Sequence, residues 1–142
     1  MFRLVLSDEA KEDLQQLFTK EPHAARLIAA LIEQASKSQD LLDIFSTQHY
    51  GQYEVGEFHV TQLHVHQQQG RNIWRIKHWE LERIGLKYRI VYALDSFSSR
   101  YHVLAICQRG ELGDYKDETK PRIQRIIKAY NRLGIRPISP RR

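Results

Sequence analysis

Hydrophobic positions along the chain change period several times, and each change marks an element. Residues Phe2 to Leu6 form a short β-type run. Ser7 or Asp8 then supplies a helix N-cap, with Asp8, Glu9 and Glu12 near the positive end of the helix dipole. Ala10, Leu14, Leu17 and Phe18 recur at helical spacing. Pro22 suits the first turn of a second helix, whose apolar stripe is Ala24, Leu27, Ile28, Leu31 and Ala35. Two adjacent amphipathic helices predict a helical hairpin packed on a sheet.

Residues 38–70 carry the weakest pattern. Gly51, Gly56 and Gly70 punctuate them, and Tyr53, Val55, Phe58, Val60, Leu63 and Val65 predict one or two short strands. A phase slip near Thr61 and Gln62 marks a bulge or a turn. Gln67 to Gly70 reads as an exposed loop. The alternation then sharpens. Ile73 to Leu81 predicts a strand with Trp74 and Ile76 on one face and Arg75 and Lys77 on the other. Tyr88 to Leu94 predicts a second, with Tyr88, Ile90, Tyr92 and Leu94 opposite Arg89, Val91 and Ala93. A turn over Asp95 to Ser99 leads to a third strand, Tyr101 to Cys107. Short connections make these an antiparallel meander.

A last helix begins near Thr119 to Pro121, with a stripe of Ile123, Ile126, Ile127, Tyr130 and Leu133. Gly134 suits the position after its C-cap, and Pro137 forbids continuation. The tail from Pro137 to Arg142 is expected to be mobile. The whole reads as a single α+β domain over residues 1–142, with two N-terminal helices and a C-terminal helix on an antiparallel sheet.

Composition narrows the function classes. A formal net charge of +5 points to a polyanionic partner. The single cysteine, Cys107, lies in an apolar run and reads as a buried strand residue, so no disulfide framework exists within the chain. The N-terminus lacks the pattern of a secretory signal, and no apolar run approaches bilayer length. A cytoplasmic location and no membrane association are expected. There is no glycine-rich phosphate loop and no Ser/His/Asp arrangement.

The candidate chemistry lies in the meander. Arg71, Arg75, Lys77, Arg83, Lys87 and Arg89 fall within one stretch that also holds Glu80 and Glu82. Arg75 and Lys77 leave one strand face, and Arg89 joins them if the next strand pairs in suitable register. Arg109 follows the third strand and Tyr115 the loop after it, so all five can converge at one sheet edge. Unpaired cations are costly to bury and clustered ones repel, and a bound polyanion relieves both problems. The bland alternative is a solvated face paired with Glu80, Glu82, Glu111 and Asp114.

The segments Trp74 to Lys77, Lys87 to Tyr92, and Ile106 to Arg109 with Tyr115 resemble the C-terminal half of RelE-type toxins. In that family a strand carries two alternating basic residues, the next begins with tyrosine and arginine, and an arginine after the last strand precedes a tyrosine by six positions. Arg75, Lys77, Arg89, Arg109 and Tyr115 stand on those positions, with Arg75 where lysine is usual. Residues 45–70 then read as an expansion of the fold. The resemblance implies an endoribonuclease without metal or other cofactor that cuts mRNA in the ribosomal A site. It also implies the ribosome and a cognate antitoxin as partners. In such chemistry the 2′-hydroxyl attacks the adjacent phosphorus and the 5′-oxygen leaves. Tyr115, its proton loosened by surrounding cations, or Lys77 would be the base. Arg75 and Arg89 would stabilise the phosphorane, and Arg109 the leaving oxygen. A gyrase inhibitor of the ParE type and a non-catalytic RNA-binding module are the alternatives. His59, His64 and His66 invite a metal reading, with His64 and His66 on one strand face, but no further ligand has clear spacing. His78 is a weaker candidate helper beside Lys77. Trp74 and Trp79 read as packing residues.

Overall fold

The computed structural model describes residues 1–137. Apart from Pro137, the tail expected to be mobile lies outside the described residues. Strand β1 (Arg3–Leu6) leads into α1 (Asp8–Lys20). Ser7 caps that helix, its hydroxyl accepting the Ala10 N–H at 3.0 Å. Helix α2 (Pro22–Ser36) opens on proline, as the sequence predicts. Then follow α3 (Gln39–Ile44), a 3-10 turn over Gln52–Glu54, β2 (Phe58–Gln62) and α4 (His64–Gln68). Strand β3 (Ile73–His78) and α5 (Trp79–Arg83) precede β4 (Tyr88–Asp95) and β5 (Arg100–Gln108). A second 3-10 turn over Arg109–Glu111 leads towards α6 (Pro121–Arg132).

The architecture is α+β. One five-stranded sheet has the order β1-β5-β4-β3-β2. Strands β2 to β5 pair antiparallel, whereas β1 lies parallel to β5, so the sheet is mixed rather than wholly antiparallel. The parallel pairing follows from the helices between β1 and the meander, which return the chain to the starting end of the sheet.

Several local expectations change. The strand predicted over Ile73 to Leu81 ends at His78, because Trp79 and Leu81 are buried from one turn of helix. Tyr53 and Val55 lie in an exposed 3-10 turn region, not a strand. His64 and His66 lie on α4, so the expected shared strand face is absent, and His64 is exposed while His66 is buried. Gln67 is buried rather than in an exposed loop, its amide donating to Asn72 Oδ1 at 2.8 Å. Phe18 and Leu133, both assigned to helix stripes, are 42% and 37% exposed.

Both sheet faces are packed. Trp74, Ile76, Ile90, Tyr92, Val103 and Ile106 meet α2 and α3 through Ile28, Leu31 and Leu42. Ile73, Val91, Ala93, Leu104, Ala105 and Cys107 meet α6 through Ile123, Ile126, Ala129 and Tyr130. This second face changes character along its strands. On β3 it reads Ile73, Arg75, Lys77; on the antiparallel β4 it reads Ala93, Val91, Arg89. Helix α6 packs on the apolar end, where burial is favourable. The cationic end carries no helix from α6, since covering unpaired cations would be costly.

The outer edge of β5 beyond β1 is closed by side chains. The Ile106 N–H donates to Asp13 Oδ2 at 3.0 Å and the Gln108 N–H to Glu111 Oε2 at 3.0 Å. Arg122 links both carboxylates, donating to Asp13 Oδ1 at 3.0 Å and to Glu111 Oε1 at 2.9 Å. Arg125 also pairs with Asp13, whose residue is 6% exposed.

Candidate functional site

The uncovered end of the second face is a cleft of about 410 Å3 lined by Arg75, Lys77, Arg89, Arg109 and Tyr115 together. Strand register explains most of this convergence. Arg75 faces Val91 and Ile76 faces Ile90, so Lys77 and Arg89 follow as the next positions across β3 and β4. Arg89 in turn faces Cys107, and the Arg109 N–H donates to the Lys87 carbonyl at 2.8 Å, carrying the ladder past the end of β5. The opposite wall comes from Thr61 to Val65 and Gln68, at the end of β2 and on α4.

Tyr115 reaches the cleft from a tight turn. Its N–H donates to the Leu112 carbonyl at 2.9 Å, and its φ is 68°, in the left-handed region that a bulky residue seldom adopts. Such strain persists only where surrounding contacts hold it, and it concentrates at functional positions. The ring also packs against the core beneath α6.

The cations differ in environment. Arg89 is buried and donates to Glu82 at 2.9 Å and 3.4 Å through its two terminal nitrogens. Glu82 therefore neutralises it, as the alternative of a carboxylate-paired face has it for this one residue. Arg75 Nη1 donates to the His59 carbonyl at 3.3 Å and lies 3.4 Å from His59 Nδ1. Lys77 Nζ sits over the Trp79 ring at 4.8 Å, a favourable cation–π contact. Among the described residues, Arg75, Lys77 and Arg109 have no carboxylate at ion-pair distance. Glu80 instead lies near His23, Glu111 pairs with Arg122, and Asp114 lines the cleft itself.

Electrostatics follow from this crowding. Burial first, then Arg75 and Arg89, pull the Lys77 ammonium below the usual lysine range. Burial also lowers the Arg75 guanidinium, with the Tyr115 phenol opposing the shift, so the two lie within electrostatic reach. His59 is pushed down to about 4 by burial, then by Arg75 and Lys77. It is held neutral between its stacking neighbours His49 and Trp79.

The pattern of alternation missed several contributors. His59 stands opposite Lys77 on β2, Lys116 adds a cation to the cleft, and Gln62, His64 and Gln68 furnish neutral hydrogen-bonding groups. The pairing of β2 with β3 is the signal that would have found His59. His78 leaves β3 on the face opposite Lys77, buried with Nε2 3.5 Å from Glu57, and so lies away from the cleft. Among the described residues no group of three or more His, Cys, Asp or Glu side chains is placed to hold a metal ion. No helix among them is long and apolar enough to cross a membrane. Comparison with family models, curated proteins and solved structures gives no match to this chain.

Arg75 and Arg109, the Lys77 amine of lowered basicity, Lys116 and the Tyr115 phenol surround one concavity, an arrangement suited to holding an anion and moving a proton. Arginine offers bidentate contact to phosphate oxygens, and lysine a point charge.

Proposed function

We propose that this protein is a RelE-type endoribonuclease, the toxin of a toxin–antitoxin pair, which cuts mRNA in the ribosomal A site and so stops translation. The observation that supports this reading is the single cleft shared by Arg75, Lys77, Arg89, Arg109 and Tyr115. A phosphodiester seated there meets Arg75 and Arg109, whose charges have no internal carboxylate partner and stabilise the negative charge that grows on the phosphorane. Lys77 accepts the 2′-hydroxyl proton as that oxygen attacks phosphorus. The bond to the 5′-oxygen breaks, and Tyr115 delivers a proton to it. This leaves a 2′,3′-cyclic phosphate and a free 5′-hydroxyl. Arg89, neutralised by Glu82, keeps the floor of the cleft in register and adds hydrogen bonds rather than net charge. Positioning of mRNA by the ribosome, and control by a cognate antitoxin, belong to this same proposal.

Cleavage of ribosome-bound mRNA by purified protein tests it. Tyr115→Phe and Lys77→Ala each lower the rate by about 10² to 10⁴-fold, the usual range for loss of one acid or base, with circular dichroism unchanged. Full cleavage by both variants would falsify the assignment. Binding of RNA without cleavage by the wild type would leave a non-catalytic RNA-binding module in its place.

A further inference from the structure

The cleft does not end at Arg109. A second hollow, also of about 410 Å3, lies where the ends of β4 and β5 meet the α1–α2 junction. Its walls include Glu21, Lys87, Tyr88, Arg109 and Gly110. Arg109 lines both hollows, so they adjoin at the rim of the sheet. Resting on the ribonuclease reading, we infer that this second hollow is a nucleotide subsite holding the neighbouring residue of a single-stranded RNA.

Three features carry the inference. First, the Arg109 N–H donates to the Lys87 carbonyl at 2.8 Å, so two exposed cations stand side by side at the rim, one lining both hollows and the other the second alone. Lys87 is exposed and, among the described residues, has no ion-pair partner. Second, Tyr88 is half-buried, and its hydroxyl accepts weakly from Gln108 Nε2 at 3.4 Å. Its ring is fixed against the core and offers a flat surface on which a base can stack. Third, the fold itself does not require glycine at Gly110. Its φ lies outside the left-handed region, and an added Cβ would meet nothing within 4 Å. A bare backbone at that point leaves room for a ligand to approach closely.

The test is binding of 2′-O-methyl oligonucleotides, which cannot be cut because the attacking hydroxyl is blocked, to the full chain by fluorescence anisotropy. Wild-type affinity rises by about five-fold or more from dinucleotide to tetranucleotide, the low end for one stacked base. Lys87→Ala and Gly110→Val shrink that increment, and Lys87→Ala also reduces the salt slope for the tetranucleotide by roughly 0.7. Tyr88→Phe keeps the increment and Tyr88→Ala loses it. An increment of wild-type size in Lys87→Ala and Gly110→Val, or equal weakening at every length, overturns the subsite. A dinucleotide that binds with no gain on lengthening sinks the subsite alone. Failure of the dinucleotide itself to bind, with no cleavage, sinks the ribonuclease reading and the subsite together.

Discussion

At the scale of single residues, Lys77 and His66 show how burial sets proton affinity in opposite service. Lys77 falls below 10.5 in the folded protein, because its charged form loses water and sits among other cations. The neutral amine is therefore more abundant at a given pH than in an ordinary lysine. If Lys77 is the base, the logarithm of the single-turnover rate climbs with pH at unit slope and flattens at its folded pKa, below 10.5. Lys77→Arg keeps the charge and loses the climb, which a pH–rate profile reads directly. His66 is a structural case. It is pushed down to about 4 by burial and then by Arg71, whose Nε donates to its Nδ1 at 3.1 Å. A histidine lowered in the folded state takes up protons more readily once unfolded, so between 6.5 and about 4 the stability falls as the pH falls. The slope is up to about 1.4 kcal/mol per pH unit for each such group, and His59 adds to it over the same window. Urea midpoints at pH values across that window should track this decline, and His66→Gln should flatten it. Unchanged midpoints in the wild type would refute the assignment.

At the scale of elements, the join between α1, β5 and α6 rests on Asp13. Its carboxylate meets the Ile106 N–H, Arg122 and Arg125. Asp13→Ala leaves Arg125 and the Ile106 N–H without this partner and Arg122 with Glu111 alone, and breaking a buried pair of this kind costs about 3 kcal/mol or more. Glu12→Ala, one position earlier and exposed, changes stability by less than about 0.5 kcal/mol. Equal urea midpoints for the two variants would show that the join is not what holds α6. None of these long-range partners is visible in periodicity, since Asp13 and Arg122 are joined only by the fold. The meander was legible because period-two alternation and short turns specify local pairing. That alternation put Arg75 and Lys77 on one face, and the register of β4 then brought Arg89 beside them. Short helices were not legible. Helices α3 and α4 span only six and five residues, too short for a helical period to show, although the Ser38 hydroxyl caps α3 by accepting the Leu41 N–H at 3.1 Å and the Gln67 amide donates to Asn72 Oδ1 at 2.8 Å. Trp79 and Leu81 continue the strand's alternation into α5, which hid the helical turn that carries Glu82 to Arg89. Parallel β1 pairs across most of the chain, beyond the reach of any local pattern.

At the scale of the molecule, one sheet surface serves both as packing floor and as charged floor. The net charge of +5 is general, whereas the unpaired cations Arg75, Lys77 and Arg109 concentrate at one spot. Affinity for single-stranded RNA should fall as salt rises, with a log–log slope of roughly 0.7 for each phosphate engaged. Anisotropy titrations at several salt concentrations measure it, and a flat response would argue against phosphate recognition. The arginine bridge between Asp13 and Glu111 has a further consequence. Exposed strand margins invite other chains to add on. Here alternate amides of β5 are already taken by two carboxylates, and one guanidinium locks both in place. The molecule thus terminates this stretch of its own ladder with charge, and the Ile106 and Gln108 amides are not free to pair with an added strand.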